Sequence, residues 1–316
     1  MWRSGDDGLI LGEPVTAAAA HPNPTVSAAA PALQLVCSEV WGGNRPIHAP
    51  VELPGLRGTL FSHPCQGGRG GDVHYLSVCG SGVLARVCIA DVVGHGETVA
   101  KVSGEMHTHL RRCMNEPDQR TVLSKLNRIL EERGLDAMTT AAAVTYYPPT
   151  QNLSFSYAGH PPGWFYNKAW DTWERLLLDD LDDDDNKKGA KMNLPLAVDA
   201  NVKYARRRVQ AMHGDRLVLI TDGVLEAPGA NGDEFGDHRV QSILDNCRRA
   251  SCADTVDALL RGVRMHMGRD TLDHDDVTIL VLEVVPGPAG SPAWLAIRNR
   301  ILRPRGSATT GVYAKP

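Results

Sequence analysis

Acidic residues lie at the ends of several predicted β-strands, where their carboxylates can meet. Asp91 and Asp222 each follow an apolar run, and Asp275 and Asp276 directly precede another. Asp72 comes after a glycine-rich stretch. In an antiparallel sheet the end of one strand lies beside the start of its neighbour, so we expect these carboxylates to converge on one edge. Oxygen ligands select hard cations such as Mg or Mn over Zn, so the pattern predicts a two-metal hydrolytic centre.

A cluster of carboxylates requires cations or protons between its members. Two like charges about 4 Å apart repel by roughly 4 kcal/mol at an effective dielectric constant near 20. The alternative for the stretch around Asp91 is structural: the carboxylate caps the following helix, and Gly94 and Gly96 only make the turn. Two further acidic stretches of the same kind favour the metal site, because a helix cap needs no such partners.

Hydrophobic periodicity predicts the elements that position these residues. Apolar and alternating runs indicate strands, and apolar residues at helical spacing from Thr98 onward indicate a helix. Asp118 is predicted to cap a second helix that ends near Arg133. The predicted strands cover residues 33–36, 58–62, 73–78, 83–89, 139–147, 153–157, 163–166, 173–178, 205–209, 216–221 and 277–285, and two later helices cover 237–249 and 253–267. Strands before and after paired helices, without regular βαβ alternation, predict an α+β sandwich of two mostly antiparallel sheets flanked by α-helices.

The composition along the chain divides it into three predicted parts. Residues 1–32 are rich in Ala and Pro and are predicted to be a disordered extension. Residues 33–286 form one predicted domain, in which the Gly- and Pro-containing segment 41–54 is predicted to be an irregular lead-in. Residues 287–316 form a C-terminal tail with a short basic stretch, 294–305, for which an interaction helix is the alternative to a frayed terminus.

Composition and charge argue against several classes of protein. The net charge of −4 disfavours bulk nucleic-acid binding, which needs a basic face. No apolar run is long enough to cross a membrane, and the acidic N-terminal stretch lacks the pattern of a secretory signal. The seven cysteines are odd in number and have no CxxC spacing, which predicts a reduced, cytoplasmic protein. The acidic run 179–185 predicts a solvated loop, with calcium binding as the alternative.

Five motifs occur in an order that carries a family resemblance. They are Gly70-Gly71-Asp72, Ala90-Asp91-Val92-Val93-Gly94-His95-Gly96, Ala158-Gly159-His160-Pro161-Pro162, Gly214-Asp215-Arg216-Leu217 with Thr221-Asp222-Gly223-Val224, and Asp275-Asp276-Val277-Thr278. Together they resemble the metal-dependent, phosphatase 2C-like protein serine/threonine phosphatases. Within these, the resemblance is to the bacterial branch of the stage II sporulation protein E and the sigma-regulator phosphatases. The resemblance covers about residues 33–285. It implies two central sheets flanked by helices, with the metals in a cleft at one edge.

The resemblance also implies a reaction and a set of metal ligands. The reaction is hydrolysis of phosphoserine or phosphothreonine on a protein by water activated at two Mg or Mn ions. Asp91 would bridge both ions. The implied ligands all offer oxygen, and they are Asp72, Asp91, the backbone carbonyl of Val92, Asp222 and Asp275, with Asp276 as the second choice for Asp275.

Four residues near the motifs have other or open roles. His95 is the candidate for a general acid that protonates the leaving group, and the alternative is that it orders the turn or a bound water. His160 is better explained as a structural residue at a strand end that hydrogen-bonds to nearby backbone. Tyr75 stands where the family often has an acidic residue, and Val93 where a small hydroxyl residue is common. Neither departure removes a principal carboxylate, which favours a working enzyme.

The partners implied by the resemblance are phosphorylated proteins, in particular small anti-sigma-factor antagonists. Two alternative functions stay open from the sequence. One is a catalytically silent interaction module on the phosphatase fold, and the other is a two-metal hydrolase that acts on a small phosphoester. The choice between Mg and Mn and the oligomeric state also stay open.

Overall fold

The computed structural model describes residues 32–35, 39–65, 68–94, 97–178 and 194–287. The predicted N-terminal extension, the acidic run 179–185 and the tail beyond residue 287 lie outside the described residues, as does His95. The division of the chain into these parts stays a prediction.

Within the described residues, the larger of two sheets has seven strands. In spatial order they are β1 (Leu33–Gln34), β3 (Ile47–Leu53), β4 (Leu56–His63), β13 (Val277–Val284), β12 (Arg216–Ile220), β9 (Trp164–Asn167) and β10 (Thr172–Arg175). β1 runs parallel to β3, and the other neighbouring strands are antiparallel. Ile220 near the end of β12 pairs with Ile279 near the start of β13, so the residues after β12 lie beside those before β13.

The smaller sheet has six strands in the part of the chain that the structure describes, and all neighbouring pairs are antiparallel. In spatial order they are β11 (Arg207–Gln210), β8 (Asn152–Ala158), β7 (Thr139–Tyr147), β6 (Ala85–Val92), β5 (Asp72–Val78) and β2 (Glu39–Gly43). β5 and β6 are neighbours near one edge, and their pairing places Asp72 directly opposite Asp91.

Helices cover the outer face of each sheet. α1 (Glu97–Arg112) and α2 (Gln119–Glu131) pack on the smaller sheet, and α4 (Gly236–Asn246) and α5 (Cys252–Met267) pack on the larger sheet. A third set of buried apolar side chains from both sheets fills the space between them, with Leu60 and Leu280 from one sheet and Val87 and Phe155 from the other. Burying each such side chain contributes about 1.5–3 kcal/mol to folding. The predicted α+β sandwich of two mostly antiparallel sheets is confirmed.

Capping groups define the ends of two helices, and the predicted cap at Asp118 is confirmed. Asp118 caps α2, because its carboxylate accepts a hydrogen bond from the backbone N–H of Arg120 at 3.0 Å. Ser251 caps α5 by accepting from the N–H of Asp254 at 3.1 Å, and Gly268 ends that helix with φ of 67°. Such caps satisfy helix-end groups that have no partner inside the helix. None of the helices in the described ranges has the length and apolar character needed to cross a membrane.

Two sequence-based expectations about the elements are wrong. The segment 41–54 is not irregular but contributes β2 and most of β3. Gly42 is suited to β2 because a Cβ there would overlap the carbonyl of His74 on the neighbouring strand. Pro50 fits β3 because β1 pairs only with the two residues that follow it. β6 continues through Asp91 to Val92 rather than turning before it. After β12, Asp222 opens a short helix, α3 (Asp222–Leu225).

Candidate functional site

Asp72 and Asp91 lie side by side at the end of the smaller sheet. They are opposite each other in the β5–β6 pairing, on the face that carries Leu76 and Ile89 into the core between the sheets. Asp72 is only 3% exposed. Its Oδ2 accepts a hydrogen bond from the hydroxyl of Thr221 at 2.7 Å. Because Thr221 follows β12, this bond joins the two sheets at the carboxylate pair.

Asp222 and the pair Asp275 and Asp276 are brought together at the same end of the larger sheet. The backbone N–H of Thr221 donates to the carbonyl of Thr278 at 3.1 Å, so β12 and β13 remain in contact up to the acidic residues. Gly223 packs directly against the carbonyl of Asp276, and a Cβ at that position would overlap it. A residue without a side chain is therefore needed for this close approach.

His274 and Gly223 tie the two acidic segments together. The Nε2 of His274 lies 2.6 Å from the carbonyl oxygen of Gly223 and can donate a hydrogen bond to it. His274 directly precedes Asp275, and Gly223 directly follows Asp222. The bond therefore fixes the spacing between these two carboxylates.

The carboxylate of Asp276 is occupied by backbone donors. Its Oδ1 accepts from the N–H of Cys65 at 2.8 Å, and its Oδ2 accepts from the N–H of Gly71 and from that of Asp72 at 3.2 Å. A Cβ on Gly70 would overlap this carboxylate. Asp276 therefore holds in place the glycine loop, which is the segment 68–71 before β5. Among the contacts of the described residues, the side chain of Asp275 accepts only a local hydrogen bond, from the N–H of Asp276 at 2.7 Å.

The backbone carbonyl of Val92 faces the same place as the carboxylate of Asp91. A Cβ built on Gly71 would lie 2.8 Å from the oxygen of Val92 and 3.0 Å from Oδ1 of Asp91. The N–H of Val92 donates to the carbonyl of Gly71 at 3.1 Å, so the two segments run in direct contact. The side chain of Val92 is buried under α1, so only its backbone is available to the site.

Burial and mutual repulsion raise the pKa values of the clustered carboxyl groups. For Asp91, burial and the charges of Asp222, Asp275 and other nearby acids raise the pKa to about 7. Burial and the charge of Asp91 raise the pKa of Asp72 well above its ordinary value. Burial also raises the pKa values of Asp222 and Asp275. A divalent cation between these groups would relieve the repulsion, and the donors are the oxygens that Mg and Mn prefer.

Glu226 is a further acidic residue of the site, and the strand-end pattern misses it. It follows Asp222 by four residues, and its N–H donates to the Asp222 carbonyl at 2.8 Å. Its charge contributes to the raised pKa of Asp91, and desolvation together with Asp222 raises its own pKa. The signal available in the sequence was this spacing of four, which is one turn of a helix.

The structure places the other predicted residues as follows. His160 is buried and its Nδ1 lies 2.9 Å from the carbonyl of Pro161, so the predicted structural role is confirmed. Tyr75 is buried under α1, where its hydroxyl is 2.8 Å from that of Ser103. Because side chains alternate along a strand, Tyr75 faces away from Asp72. This departure from the family pattern therefore does not touch the carboxylate cluster.

The side chains as they stand do not form a closed metal cage. Within the described ranges, no group of three or more His, Cys, Asp or Glu side chains is arranged so that it could hold a metal ion. One reason is visible in the hydrogen bonds, because Asp72 and Asp276 direct oxygens toward protein donors. The donor chemistry and the raised pKa values fit a hard divalent cation, and the assignment of individual ligands stays a prediction.

A family model and a curated relative each match more than half of the chain. The sequence model of the stage II sporulation protein E (SpoIIE) family matches residues 82–285. The phosphoserine phosphatase RsbU of Bacillus subtilis (strain 168) is 28% identical over 207 residues, which are 62% of this chain and 54% of that protein. The chain therefore spans about half the length of the curated relative that it matches.

Solved structures share the fold. The RsbU and RsbW domains of a Mycobacterium tuberculosis protein superpose with a TM-score of 0.59 at 19% identity, covering 78% of this chain and 64% of that one. RsbX in complex with magnesium gives 0.55 at 13% identity, covering 76% and 100%. The PP2C phosphatase domain of SpoIIE from Bacillus subtilis, with a fragment of its regulatory domain, gives 0.55 at 16% identity, covering 79% and 64%.

Proposed function

Because the chain belongs to the stage II sporulation protein E family, we propose that it is a metal-dependent protein serine/threonine phosphatase. The observation that carries this proposal is the convergence of carboxylates from separate parts of the chain. Asp72 and Asp91 come from one sheet, and Asp222 and Asp275 come from the ends of two strands of the other. Burial and repulsion raise the pKa values of all four.

The proposed ligands of two Mg or Mn ions are Asp91, Asp72, Asp222, Asp275 and the backbone carbonyl of Val92. When bound, such ions would supply a nucleophile at neutral pH and offset the charge of the phosphoryl oxygens. Asp276 is assigned a positioning role instead of a ligand role, because its oxygens accept from three backbone N–H groups. Its hydrogen bonds keep Asp72 next to Asp91.

The proposed substrate is a phosphoserine or phosphothreonine on a protein, and small anti-sigma-factor antagonists are the proposed class. Support comes from RsbU, which is named a phosphoserine phosphatase, and from the fold shared with the RsbU and RsbW domains. His95 is the proposed general acid. It follows Val92 by three residues, which puts it close to the carboxylates along the chain.

The test is hydrolysis of para-nitrophenyl phosphate with added Mn, with added Mg and with a chelator. The variant is Asp222→Asn, and the matched control is Asp273→Asn. Asp273 is exposed, and its carboxylate forms a surface ion pair with Arg269 and accepts a hydrogen bond from the hydroxyl of Thr271 at 3.2 Å. These are surface contacts away from the carboxylate cluster, so the same chemical change there should leave turnover intact. Metal-dependent turnover that falls by about 100-fold or more in Asp222→Asn alone is the expected result.

Two other results would contradict the proposal. Full activity of Asp222→Asn would remove the carboxylate site from the mechanism. A folded protein that neither binds metal nor hydrolyses phosphate would favour a silent interaction module. Turnover of a phosphoserine peptide is compared with turnover of a free nucleotide at equal concentration. This comparison distinguishes a protein phosphatase from a hydrolase of small phosphoesters, and we expect faster turnover of the peptide.

A further inference from the structure

A cluster of thiols surrounds one buried arginine at the far end of the smaller sheet. Cys79 directly follows β5, Cys88 lies on β6 and Cys113 directly follows α1. Arg86 lies among them and is 2% exposed. Asp72 begins β5 and Cys79 directly follows it, so the two lie about 23 Å apart at roughly 3.3 Å per residue. The cluster is therefore separate from the carboxylate site.

The Sγ of Cys79 accepts hydrogen bonds within its own turn. The N–H of Leu84 donates to it at 3.1 Å, and the hydroxyl of Ser81 lies 2.9 Å away and can also donate. The turn is held by the N–H of Cys79 donating to the carbonyl of Leu84 at 3.0 Å, and by the N–H of Gly82 donating to the carbonyl of Cys79 at 2.9 Å. A sulfur atom encircled by donors is suited to carry negative charge.

Arg86 supplies a positive charge that the surrounding groups only partly offset. Its guanidinium donates to the carbonyls of Cys113, at 2.9 Å, and Glu116. Its Nε is buried and has no hydrogen-bond partner in the described part of the chain. Burial lowers the pKa of Arg86, and its charge interacts most with the thiol of Cys88, then with Cys113 and Glu116, and least with the thiol of Cys79. A thiolate at Cys79 would therefore be stabilised mainly by the donors of the turn, and to a smaller extent by the charge of this buried cation.

Exposure alone does not distinguish Cys79 from other cysteines. Cys79, Cys113 and Cys247 are each 7% exposed and Cys252 is 8% exposed, and all four are free thiols. Cys65 is more accessible than these. Among the cysteines that the structure describes, an oxidant that reacted according to access would therefore modify Cys65 first.

The environment does distinguish them. Burial raises the pKa of the Cys79 thiol, but hydrogen bonds from Ser81 and from backbone N–H groups outweigh burial, so the pKa is lowered. Burial raises the pKa of Cys252 to about 11. Burial and the carboxylate of Asp276 raise the pKa of Cys65 to about 11 as well. These two thiols are poor nucleophiles at neutral pH.

We propose that Cys79 is a modification site, where a hydroperoxide oxidises the thiol to a sulfenic acid. The thiolate sulfur attacks one peroxide oxygen and forms an S–O bond while the O–O bond breaks. The second oxygen leaves as hydroxide and takes up a proton to form water, so the sulfur is oxidised by two electrons and the peroxide is reduced. The hydrogen-bond donors of the turn and Arg86 stabilise the sulfur anion before the attack.

The test is brief treatment of the full chain with hydrogen peroxide in the presence of dimedone, which captures sulfenic acids, followed by peptide mass spectrometry. Dimedone is expected on the peptide with Cys79 at a rate about tenfold above that of Cys247 or Cys252. Cys79→Ser should remove this adduct and leave the others unchanged. Ser81→Ala should slow labelling of Cys79 several-fold, because it removes a donor to the sulfur.

Other outcomes overturn the proposal. Equal labelling of Cys79, Cys247 and Cys252, or first labelling of Cys65, would show that access decides reactivity. Labelling of Cys79 only in the urea-unfolded protein would show that the fold protects this thiol instead of activating it. Unchanged labelling in Ser81→Ala would remove the turn from the explanation. None of these readouts depends on phosphatase activity, so they stand apart from a failure of the proposed function.

Discussion

Replacement of Asp276 by Ala should destabilise the protein before any metal is added. The carboxylate is 7% exposed and accepts hydrogen bonds from the backbone N–H groups of Cys65, Gly71 and Asp72. These donors belong to the loop that leads into β5. Loss of these hydrogen bonds would detach the loop from the start of β13, and Asp72 would no longer be held in its position.

The size of the effect follows from two opposing contributions. Hydrogen bonds to a charged acceptor contribute about 1.5–3 kcal/mol each, and donors left unpaired in the interior add a penalty of similar size. Removing the charge also relieves repulsion from the neighbouring carboxylates by about 1–2 kcal/mol. We therefore expect Asp276→Ala to lower the free energy of unfolding by roughly 3 kcal/mol or more, the lower bound corresponding to three weak bonds less the relieved repulsion.

Asp275→Ala is the matched comparison, one residue away. Asp275 is more exposed and accepts only the local bond from the N–H of Asp276 among its contacts in the described residues. Its raised pKa indicates that its charge is unfavourable in the metal-free protein. We expect its removal to change the free energy of unfolding by less than about 1 kcal/mol, but to abolish the stabilisation that added Mn or Mg gives.

Urea unfolding of wild type, Asp276→Ala, Asp276→Asn and Asp275→Ala, each with chelator and with excess Mn, measures both effects. Asp276→Asn keeps one acceptor oxygen, so its loss of stability should lie between wild type and Asp276→Ala. An unchanged urea midpoint for Asp276→Ala would refute the positioning role. Strong destabilisation by Asp275→Ala in chelator, with metal stabilisation retained, would reverse the assignments of the two residues.

Three further predictions concern the same site. The pKa of Asp91 is raised to about 7, so the folded state holds this proton more tightly than the unfolded state does. The metal-free protein should therefore lose stability as pH rises from about 4 through about 7. Urea titrations in chelator at several pH values check this, and Asp91→Asn should flatten the dependence of stability on pH. Gly223→Ala forces a Cβ onto the carbonyl of Asp276 and should lower the free energy of unfolding by about 2 kcal/mol or more, as measured by urea unfolding. An unchanged free energy of unfolding would mean that the ends of β12 and β13 can separate without loss of stability. Thr221→Val removes the hydroxyl that donates to Asp72 and should cost about 1–3 kcal/mol, with Thr221→Ser as the control that keeps the donor.

Much of the fold follows from local patterns. The strand Thr139–Tyr147 and the helix capped by Asp118 have the predicted positions, because alternation, apolar spacing and a capping carboxylate are readable over a few residues. β2 and β3 could not be read in this way. Their glycines and prolines indicate loops, and only the pairing with β5 and β4 makes strands of them.

Except for Glu226, the acidic residues of the site are identifiable from the sequence, because each stands where an apolar strand begins or ends. Their joint position depends on strand order, which no local pattern contains. β5 and β6 lie in one sheet and β12 and β13 in the other, and the bond from Thr221 to Asp72 joins them. Cys79 likewise combines a local and a tertiary feature. Its hydrogen-bond donors come from its own turn, whereas the charge of Arg86 acts on it from the neighbouring strand.

The sequence by itself determined the residue types available for chemistry, the α+β class and most element positions, because these depend on side-chain chemistry and local periodicity. The tertiary structure alone decided which of two adjacent carboxylates faces backbone donors. Asp275 and Asp276 are identical in type and adjacent in sequence, and they differ only in their surroundings. Asp276 is buried against the glycine loop, whereas Asp275 stays free of that loop, since consecutive side chains at the start of a strand point to opposite sides.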